Sequence, residues 1–234
     1  MCQHAEVPLA TYKDLCIDAC DAEASARFWG GMLGLTPGGP HHNGAWWLDD
    51  EPGHAVAWVN PVPEPKSAKN RVHIDVNAEN LDAALASGAT VVDDSHRWTV
   101  MQDPDGQEFC LFVRDTPIER RLYELVWDTG PSLDDCLAIA RWWAAALGAE
   151  VGQDEAGEVW IENVPGAPFD GICFEPVPEP KTVKNRVHID VETDALDALV
   201  AHGAQVLRAK GDDGIGWTVL ADPDGNEFCA FTPD

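Results

Sequence analysis

Alternation of apolar and polar residues predicts short strands throughout the chain, interrupted by stretches with helical periodicity. From the N-terminus, the pattern predicts a strand at Asp14–Cys20, a helix at Ala22–Leu33 that ends at Gly34, and strands at Ala45–Asp49 and His54–Asn60. After a proline-rich segment, the same order returns as a strand at Arg71–Asn77, a helix at Ala78–Ser87, and strands at Ala89–Asp93, Trp98–Gln102 and Glu108–Arg114. The pattern therefore predicts two βαβββ modules in the first half of the chain.

The second half of the chain repeats the first. Pro61–Asn77 and Pro176–Glu192 lie 115 residues apart and are identical at 14 of 17 positions. Trp98–Phe112 and Trp217–Phe231 are identical at 11 of 15 positions with an offset of 119, which predicts a four-residue insertion within Lys210–Gly216. We therefore expect two tandem α+β domains, at residues 1–117 and 118–234, each made of two βαβββ modules.

Composition and charge exclude several classes of protein. Hydrophobic residues make up 45% of the chain, enough for a packed core, and the formal net charge is -26. So much negative charge disfavours nucleic acid and membrane surfaces as partners. The segment Met1–Lys13 has neither the basic start nor the apolar stretch of a signal peptide, so we expect a cytoplasmic protein. The seven cysteines form no Cys-x-x-Cys pair and are expected to be buried thiols.

Four motifs, each echoed in the second half, carry a resemblance to a known family. They are Ala26–Trp29 with Leu33–Gly34, Lys69–Asp75, Gly88–Val92 and Asp103–Phe109. With them the chain resembles the vicinal oxygen chelate superfamily, in particular the glyoxalase-like domains (glyoxalase, bleomycin resistance and dioxygenase proteins). The resemblance implies paired βαβββ modules that form a cupped, mixed, half-open sheet. Helices cover its outer face, and its concave side holds a ligand or a metal. Whether modules pair within a repeat, between repeats or between chains stays open.

Strand periodicity assigns side chains to the two faces of each sheet. The residues expected to be buried under the helices are Leu15, Ile17, Ala19, Val72, Ile74, Val76, Phe109, Leu111 and Val113. Those expected to face the cup are Asp14, Cys16, Asp18, His54, Val56, Trp58, Asn60, His73, Asp75, Glu108, Cys110 and Phe112. The helical Trp29, Trp142 and Trp143 are expected in the core.

Ligand-binding candidates follow from the cup faces of both repeats. They are His73, Asp75, Glu108, Cys110 and Trp58 in the first repeat, and His188, Asp190, Glu227, Cys229 and Trp160 in the second. The two histidines have three interpretations: a structural imidazole hydrogen-bonded to Asp75 or Asp190, an acid or base, or a metal ligand. Glu108 and Glu227 have a structural alternative too, which is to accept hydrogen bonds from the preceding turn.

The metal question rests on the resemblance. In metal-dependent members, ligands come from the first and last strands of each module, and His73 and His188 match a ligand histidine. The last-strand carboxylate of those enzymes is replaced here by Cys110 and Cys229, which favours a soft, zinc-like site. The metal candidates are His73, His188, Glu108, Glu227, Glu124 and Glu175. This pattern does not require a cofactor. Whether the protein binds a divalent metal (Zn, Ni, Fe or Mn) stays open.

Positive charge is concentrated beside the proline-rich bridge. Lys69, Asn70 and Arg71 follow it in the first repeat, and the second repeat has the same residues. They either pin the bridge to neighbouring carbonyl and carboxylate oxygens or hold an anionic ligand.

The function predicted from these features is small-molecule binding. Ten tryptophans and an acidic cup favour a protein that binds or sequesters an aromatic or cationic metabolite or antibiotic, without an essential metal. The alternatives are a metal-dependent lyase, isomerase or dioxygenase of the vicinal oxygen chelate type, and a purely structural tandem domain. Glu124, Glu175 and His188 together would offer more ligand groups than the first repeat does. If they lie together, the second repeat is the functional one. The chain is expected to be a monomer or a homodimer.

Overall fold

The computed structural model describes residues 7–233 of the chain. Residues 1–6, on which part of the signal-peptide argument and Cys2 fall, lie outside the described residues, as does residue 234. Among the described residues, no helix is long and apolar enough to cross a membrane.

The described residues form sixteen strands and four α-helices, with several strands between successive helices. The strands of the first repeat are β1 (Thr11–Ala19), β2 (Thr36–Gly38), β3 (Trp46–Glu51), β4 (His54–Pro61), β5 (Val72–Ala78), β6 (Thr90–Asp93), β7 (Thr99–Gln102) and β8 (Glu108–Val113). Those of the second are β9 (Leu122–Thr129), β10 (Glu150–Gln153), β11 (Val159–Glu162), β12 (Gly171–Pro176), β13 (Val187–Glu192), β14 (Gln205–Arg208), β15 (Thr218–Ala221) and β16 (Glu227–Phe231). The helices are α1 (Ala22–Leu33), α2 (Asp82–Ala86), α3 (Leu133–Leu147) and α4 (Leu196–His202).

The two long helices begin and end on local signals. The Asp21 side chain accepts a hydrogen bond from the backbone of Ala24 at the start of α1, and Gly34 ends the helix in the left-handed conformation. Ser132 and Asp135 form a capping box at the start of α3, which ends at the left-handed Gly148. Helix α2 is shorter than predicted. The predicted insertion in Lys210–Gly216 contains a short 3-10 turn at Asp212–Gly214.

Each sheet is built from both repeats. The first sheet has the order β14-β15-β16-β13-β1-β4-β3-β2, and the second has the order β10-β11-β12-β9-β5-β8-β7-β6. Strands β1 and β13 pair antiparallel in the first sheet, as β5 and β9 do in the second. The module that opens one repeat thus pairs with the module that closes the other. The predicted α+β fold of tandem βαβββ modules is confirmed, and the open question of module pairing is answered: modules pair between the repeats.

One hydrophobic core joins the two sheets through the long helices. Helix α1 packs on the first sheet, yet its Trp29 ring also contacts Phe109 of the second sheet, with centroids 5.4 Å apart. Helix α3 packs on the second sheet, and its Trp143 contacts Phe228 of the first at 5.0 Å. The predicted core role of the helical tryptophans is confirmed, since all three are buried.

The proline-rich bridges are pinned by the cations that follow them. Lys69 forms an ion pair with Asp128, and Lys184 with Asp18. The Arg71 guanidinium donates to the carbonyl oxygen of Glu179 at 2.8 Å, across to the other repeat. These contacts agree with the structural interpretation given above, in which the cations hold the proline-rich bridges in place.

Strand periodicity placed most buried residues correctly. Leu15, Ile17 and Ala19 have no exposed surface. Two expectations are wrong. Val113 is half-exposed because β8 ends there, beyond the reach of the helix layer. Cys20 is exposed at the end of β1, whereas it was expected to be buried.

Candidate functional site

The concave face of the first sheet, here called the first cup, encloses a cavity of about 790 Å³. This volume is within the range of small-molecule sites, about 300–1,000 Å³. Its lining includes Asp14, Cys16, His41, Trp58, His188, Asp190, Arg208, Trp217, Glu227, Cys229 and Phe231. These residues come from both repeats, so the cavity exists only because the modules are exchanged.

A cluster of sulfur, imidazole and carboxylate groups forms part of the cavity wall. Cys16 on β1 lies directly opposite His188 on β13 in the antiparallel register. The ligand atoms of Cys16, His188 and Asp190 lie within 4.8 Å of one another. The Nε2 atom of His188 is 3.5 Å from Asp190 Oδ1 and 3.6 Å from Cys229 Sγ. Three groups with the chemistry of metal ligands, two thiols and a carboxylate, therefore lie around the His188 imidazole.

Protonation in this cluster is set by burial and by close neighbours. Burial raises the pKa of the Cys16 thiol well above its usual value. Burial alone lowers the pKa of His188, but its neighbours Cys16 and Asp190 raise it by more. The net result is a His188 pKa above its ordinary value. These neighbours suit the His188 imidazole to donate a hydrogen bond or a proton to a ligand oxygen.

Aromatic rings form the rest of the wall. Trp217 and Phe231 stack on one side with centroids 5.5 Å apart. Trp58 lies on the other side, tilted against Trp47 at 6.1 Å and approached edge-on by the His41 ring at 6.0 Å. Flat faces on two sides suit a flat organic ligand.

Cations of the protein neutralise the carboxylates that line the cavity. Asp14 pairs with Lys13, and Asp18 with Lys184. Glu227 accepts from Lys181 Nζ at 2.7 Å and from the Asn185 backbone at 3.1 Å. Three of the four acids thus have a lysine partner, and the fourth, Asp190, faces the His188 imidazole at 3.5 Å.

The concave face of the second sheet, the second cup, has a related but different cluster. His73 Nε2 lies 3.4 Å from Asp75 Oδ1 and 3.6 Å from Cys110 Sγ, which reproduces three of the four residues of the first cluster. Opposite His73, however, β9 carries Val126 where β1 carries Cys16. The second cup therefore lacks the thiol that completes the first.

Three further candidates, Glu124, Glu175 and Trp160, lie on the sheet of the second cup. Cys173 Sγ donates to Glu124 at 3.4 Å, and burial raises the pKa of Glu124 and of Glu175. Trp160 on β11 pairs with Cys173 and shares its face. The expected grouping of Glu124 and Glu175 with His188 is wrong, because strand pairing places both glutamates on the sheet that carries His73.

Other predicted side chains make contacts of a different kind. Glu108 accepts from Lys66 Nζ at 2.6 Å and from the Asn70 backbone at 3.1 Å, so it ties down the bridge. The turn amides are satisfied instead by Asp103, which accepts from the backbone of Asp105 and Gln107. His54 is exposed and bonds Asp50, because it stands at the hairpin end of β4. Neither it nor Val56 lines the cavity, contrary to expectation.

Several cavity residues were not predicted from the sequence, and three of them carry titratable or charged groups. Lys13, His41 and Arg208 lie on the end of a strand or in a loop, where periodicity is weak. The sequence did hint at Arg208, because this residue lies shortly before the predicted insertion, where the second repeat differs from the first.

Comparisons with known proteins agree on the fold. A family model described as a glyoxalase-like domain matches residues 14–112 and again residues 125–231. A mutant of glyoxalase I from Zea mays is similar in structure, with a TM-score of 0.65 and 14% identity over 96% of this chain and 94% of that chain. A putative dioxygenase from Bacillus subtilis subsp. subtilis str. 168 gives a TM-score of 0.62 and 14% identity over 96% and 86%. No curated protein sequence matches the chain. At these identities the likeness to solved structures is one of fold.

Proposed function

Because this chain belongs to the glyoxalase-like domain family, within the vicinal oxygen chelate superfamily, we propose that it binds a flat aromatic small molecule in the first cup. The observation that carries the proposal is the cavity of about 790 Å³, walled by Trp58, Trp217 and Phe231 and bordered by a cluster that includes His188. A ring inserted between such walls gains both apolar burial and stacking, about 0.5–1.5 kcal/mol for each well-placed aromatic pair.

Differences between the two cups support the first as the binding site. At the position of Trp58 on β4, the second cup has Cys173 on β12, as the register of each strand with its neighbour shows. The stacked pair Trp217 and Phe231 does have a counterpart in Trp98 and Phe112, with centroids 5.6 Å apart. The stacked pair is thus shared, whereas a tryptophan at the position of Trp58 belongs to the first cup alone; the tryptophan on that side of the second cup, Trp160, lies one strand further out on β11.

Calorimetric titration with 2-naphthamide, a flat uncharged probe, tests the proposal together with a panel of aromatic metabolites and antibiotics. We expect Trp58→Ala to weaken binding about tenfold or more, because it removes one of the two walls. Trp160→Ala is the matched control, since Trp160 is also a half-buried strand tryptophan but faces the second cup. Equal losses in the two variants would contradict the proposal, as would a panel in which nothing binds.

A metal-dependent lyase, isomerase or dioxygenase is the second candidate, and the cluster around His188 is the observation that favours it. Asp190 Oδ1 is buried without a hydrogen-bond partner, and it lies in the group of ligand atoms within 4.8 Å of one another. Cys16, His188 and Asp190 form a donor set of one sulfur, one nitrogen and one oxygen, and a second sulfur, Cys229 Sγ, lies 3.6 Å from the His188 nitrogen. That set fits zinc better than a metal that prefers oxygen ligands. A divalent ion held there would polarise adjacent oxygens of a bound substrate.

Cobalt absorption tests this second candidate without relying on activity. In a His73→Ala background, which removes the second cluster, Co²⁺ should bind chelator-treated protein and give sulfur-to-cobalt charge-transfer absorption. Adding Cys16→Ser should weaken Co²⁺ binding about tenfold or more, because it removes a ligand. Cys136→Ser is the control, since Cys136 is buried against Thr129 outside the cups. Absence of the absorption in the His73→Ala protein would rule the metal site out.

Three predictions from the sequence complete this proposal. The protein acts in the cytoplasm, works as a monomer or homodimer, and has neither nucleic acid nor a membrane as a partner. The last of these rests on the net charge of -26.

A further inference from the structure

We infer that the ligand of the first cup carries an anionic group, such as a carboxylate, and that Arg208 binds it. The inference rests on the proposed function and names the chemical class of its ligand. It reverses the sequence-based expectation of a cationic ligand.

The charges of the cavity are the first step of the argument. Four carboxylates line it, and each has a cationic or imidazole neighbour within the protein, as described above for Asp14, Asp18, Asp190 and Glu227. A cationic ligand would have to displace a lysine from Asp14, Asp18 or Glu227, and at Asp190 it would have to approach against the His188 imidazole 3.5 Å away. The acidic lining therefore offers little to a ligand's positive charge.

Unlike these carboxylates, the Arg208 guanidinium is only loosely paired within the protein. Its closest acidic contact joins Nη1 to Asp213 Oδ2 at 4.0 Å, and the Asp213 side chain is 84% exposed. Its Nε atom is buried and has no hydrogen-bond partner. A guanidinium holds a carboxylate with two parallel hydrogen bonds, and Nε supplies one of the donors in that geometry. A ligand carboxylate would satisfy the buried donor and compete only with an exposed side chain.

The register places Arg208 at a useful distance from the cluster. Arg208 on β14 pairs with Val219 on β15, which pairs with Cys229 on β16. Two strand spacings separate Arg208 from Cys229 along this row, or about 10 Å. Arg208 and the cluster therefore border the same cavity at a Cα separation comparable to the length of a two-ring aromatic carboxylate.

The fold itself does not require a cation at this position. The equivalent residue of the second cup is Asp93, which pairs with Val100 at the same place in the register. Asp93 accepts from the backbone of Ser95 and lies near His96. Because the same strand end carries an acid in one cup and arginine in the other, the guanidinium is a property of the first cup.

Three matched probes test the inference by calorimetry: 2-naphthoate, the neutral 2-naphthamide and the cationic 2-naphthylmethylammonium. Wild-type protein should bind naphthoate about tenfold or more tighter than naphthamide, and the ammonium probe most weakly. Arg208→Gln should abolish the preference for naphthoate while leaving naphthamide affinity within about twofold. Arg208→Lys keeps the positive charge but loses the paired N–H donors of the guanidinium, so it should retain part of the preference. Arg141→Gln is the control, because Arg141 is exposed on α3, which packs on the second sheet.

The outcomes separate this inference from the proposed function. Binding of naphthamide with no gain for naphthoate overturns the anionic subsite and leaves the aromatic site standing. A preference that survives in a folded Arg208→Gln protein also overturns it, since another cation would then hold the anion. If no probe binds wild-type protein, the proposed aromatic site is wrong and the subsite falls with it.

Discussion

Replacing Trp143 by alanine should lower the free energy of unfolding by about 3–5 kcal/mol, the usual cost of truncating a buried tryptophan. Trp143 is 1% exposed, and its ring contacts Trp127 of the second sheet and Phe228 of the first. Its Nε1 donates to Asp222 at 3.0 Å, so truncation also leaves a buried carboxyl without that partner. The loss therefore combines a cavity with an unsatisfied polar group.

Urea unfolding followed by far-ultraviolet circular dichroism measures this change. Because Trp143 bridges both sheets, we expect one transition that shifts as a whole rather than two that separate. Trp98→Ala is the control, since Trp98 is a half-buried residue stacked on Phe112 at the wall of the second cup. A loss below about 1 kcal/mol for Trp143→Ala, or a comparable loss for Trp98→Ala, would show that the helix does not join the sheets as described.

Arg186→Met should cost about 2–4 kcal/mol, because breaking a largely buried ion pair leaves its partner without compensation. Arg186 is 8% exposed and donates to Asp105 Oδ2 and to the Glu64 carbonyl oxygen, both at 2.8 Å. Those two residues belong to the other repeat, so the guanidinium ties the repeats together. The Asp105 side chain is 18% exposed, and solvent moderates the loss.

Arg71→Met is the matched control for this second change. Arg71 occupies the same position in the first repeat, but the hydrogen bonds of its guanidinium go to the carbonyl oxygens of Glu179 and Thr129. Without a carboxylate partner, its loss should be about 1 kcal/mol. Chemical denaturation of both variants tests the difference, and adding Asp105→Asn should recover part of the loss in Arg186→Met but not in Arg71→Met. Equal losses in the two single variants would contradict the prediction.

The sequence predicted much of the local structure. Two-residue periodicity put Leu15 and Ile17 in the core and turned Cys16 toward the cup, because successive side chains of a strand point to opposite faces. Helix α1 was predicted at its observed bounds, since Asp21 and Gly34 provide clear end signals. Predictions failed at strand ends, as for Val113 and His54, where the neighbouring layer stops and alternation no longer decides burial.

The site was predicted less completely than the fold. His188 and Cys229 were candidates because strand alternation turns both side chains toward the cup. Cys16 was assigned to a cup face but not to His188, which is 172 positions away in the chain, and Glu124 was grouped with the wrong histidine. Arg208 escaped notice because its role depends on which acids of the cavity are already paired, and pairing is a property of packed side chains.

By itself, the sequence determined that the chain is a duplication of βαβββ modules, which side of each strand looks into a cup, and which chemical groups are available there. Only the tertiary structure decided which strands are neighbours, and so brought Cys16 to His188 while leaving Val126 opposite His73. The physical reason is that side-chain periodicity is a local property of a strand. The choice of partner strand depends on hydrogen bonding and core packing summed over the whole molecule, and two repeats with the same order of strands offer several possible partners in sequence.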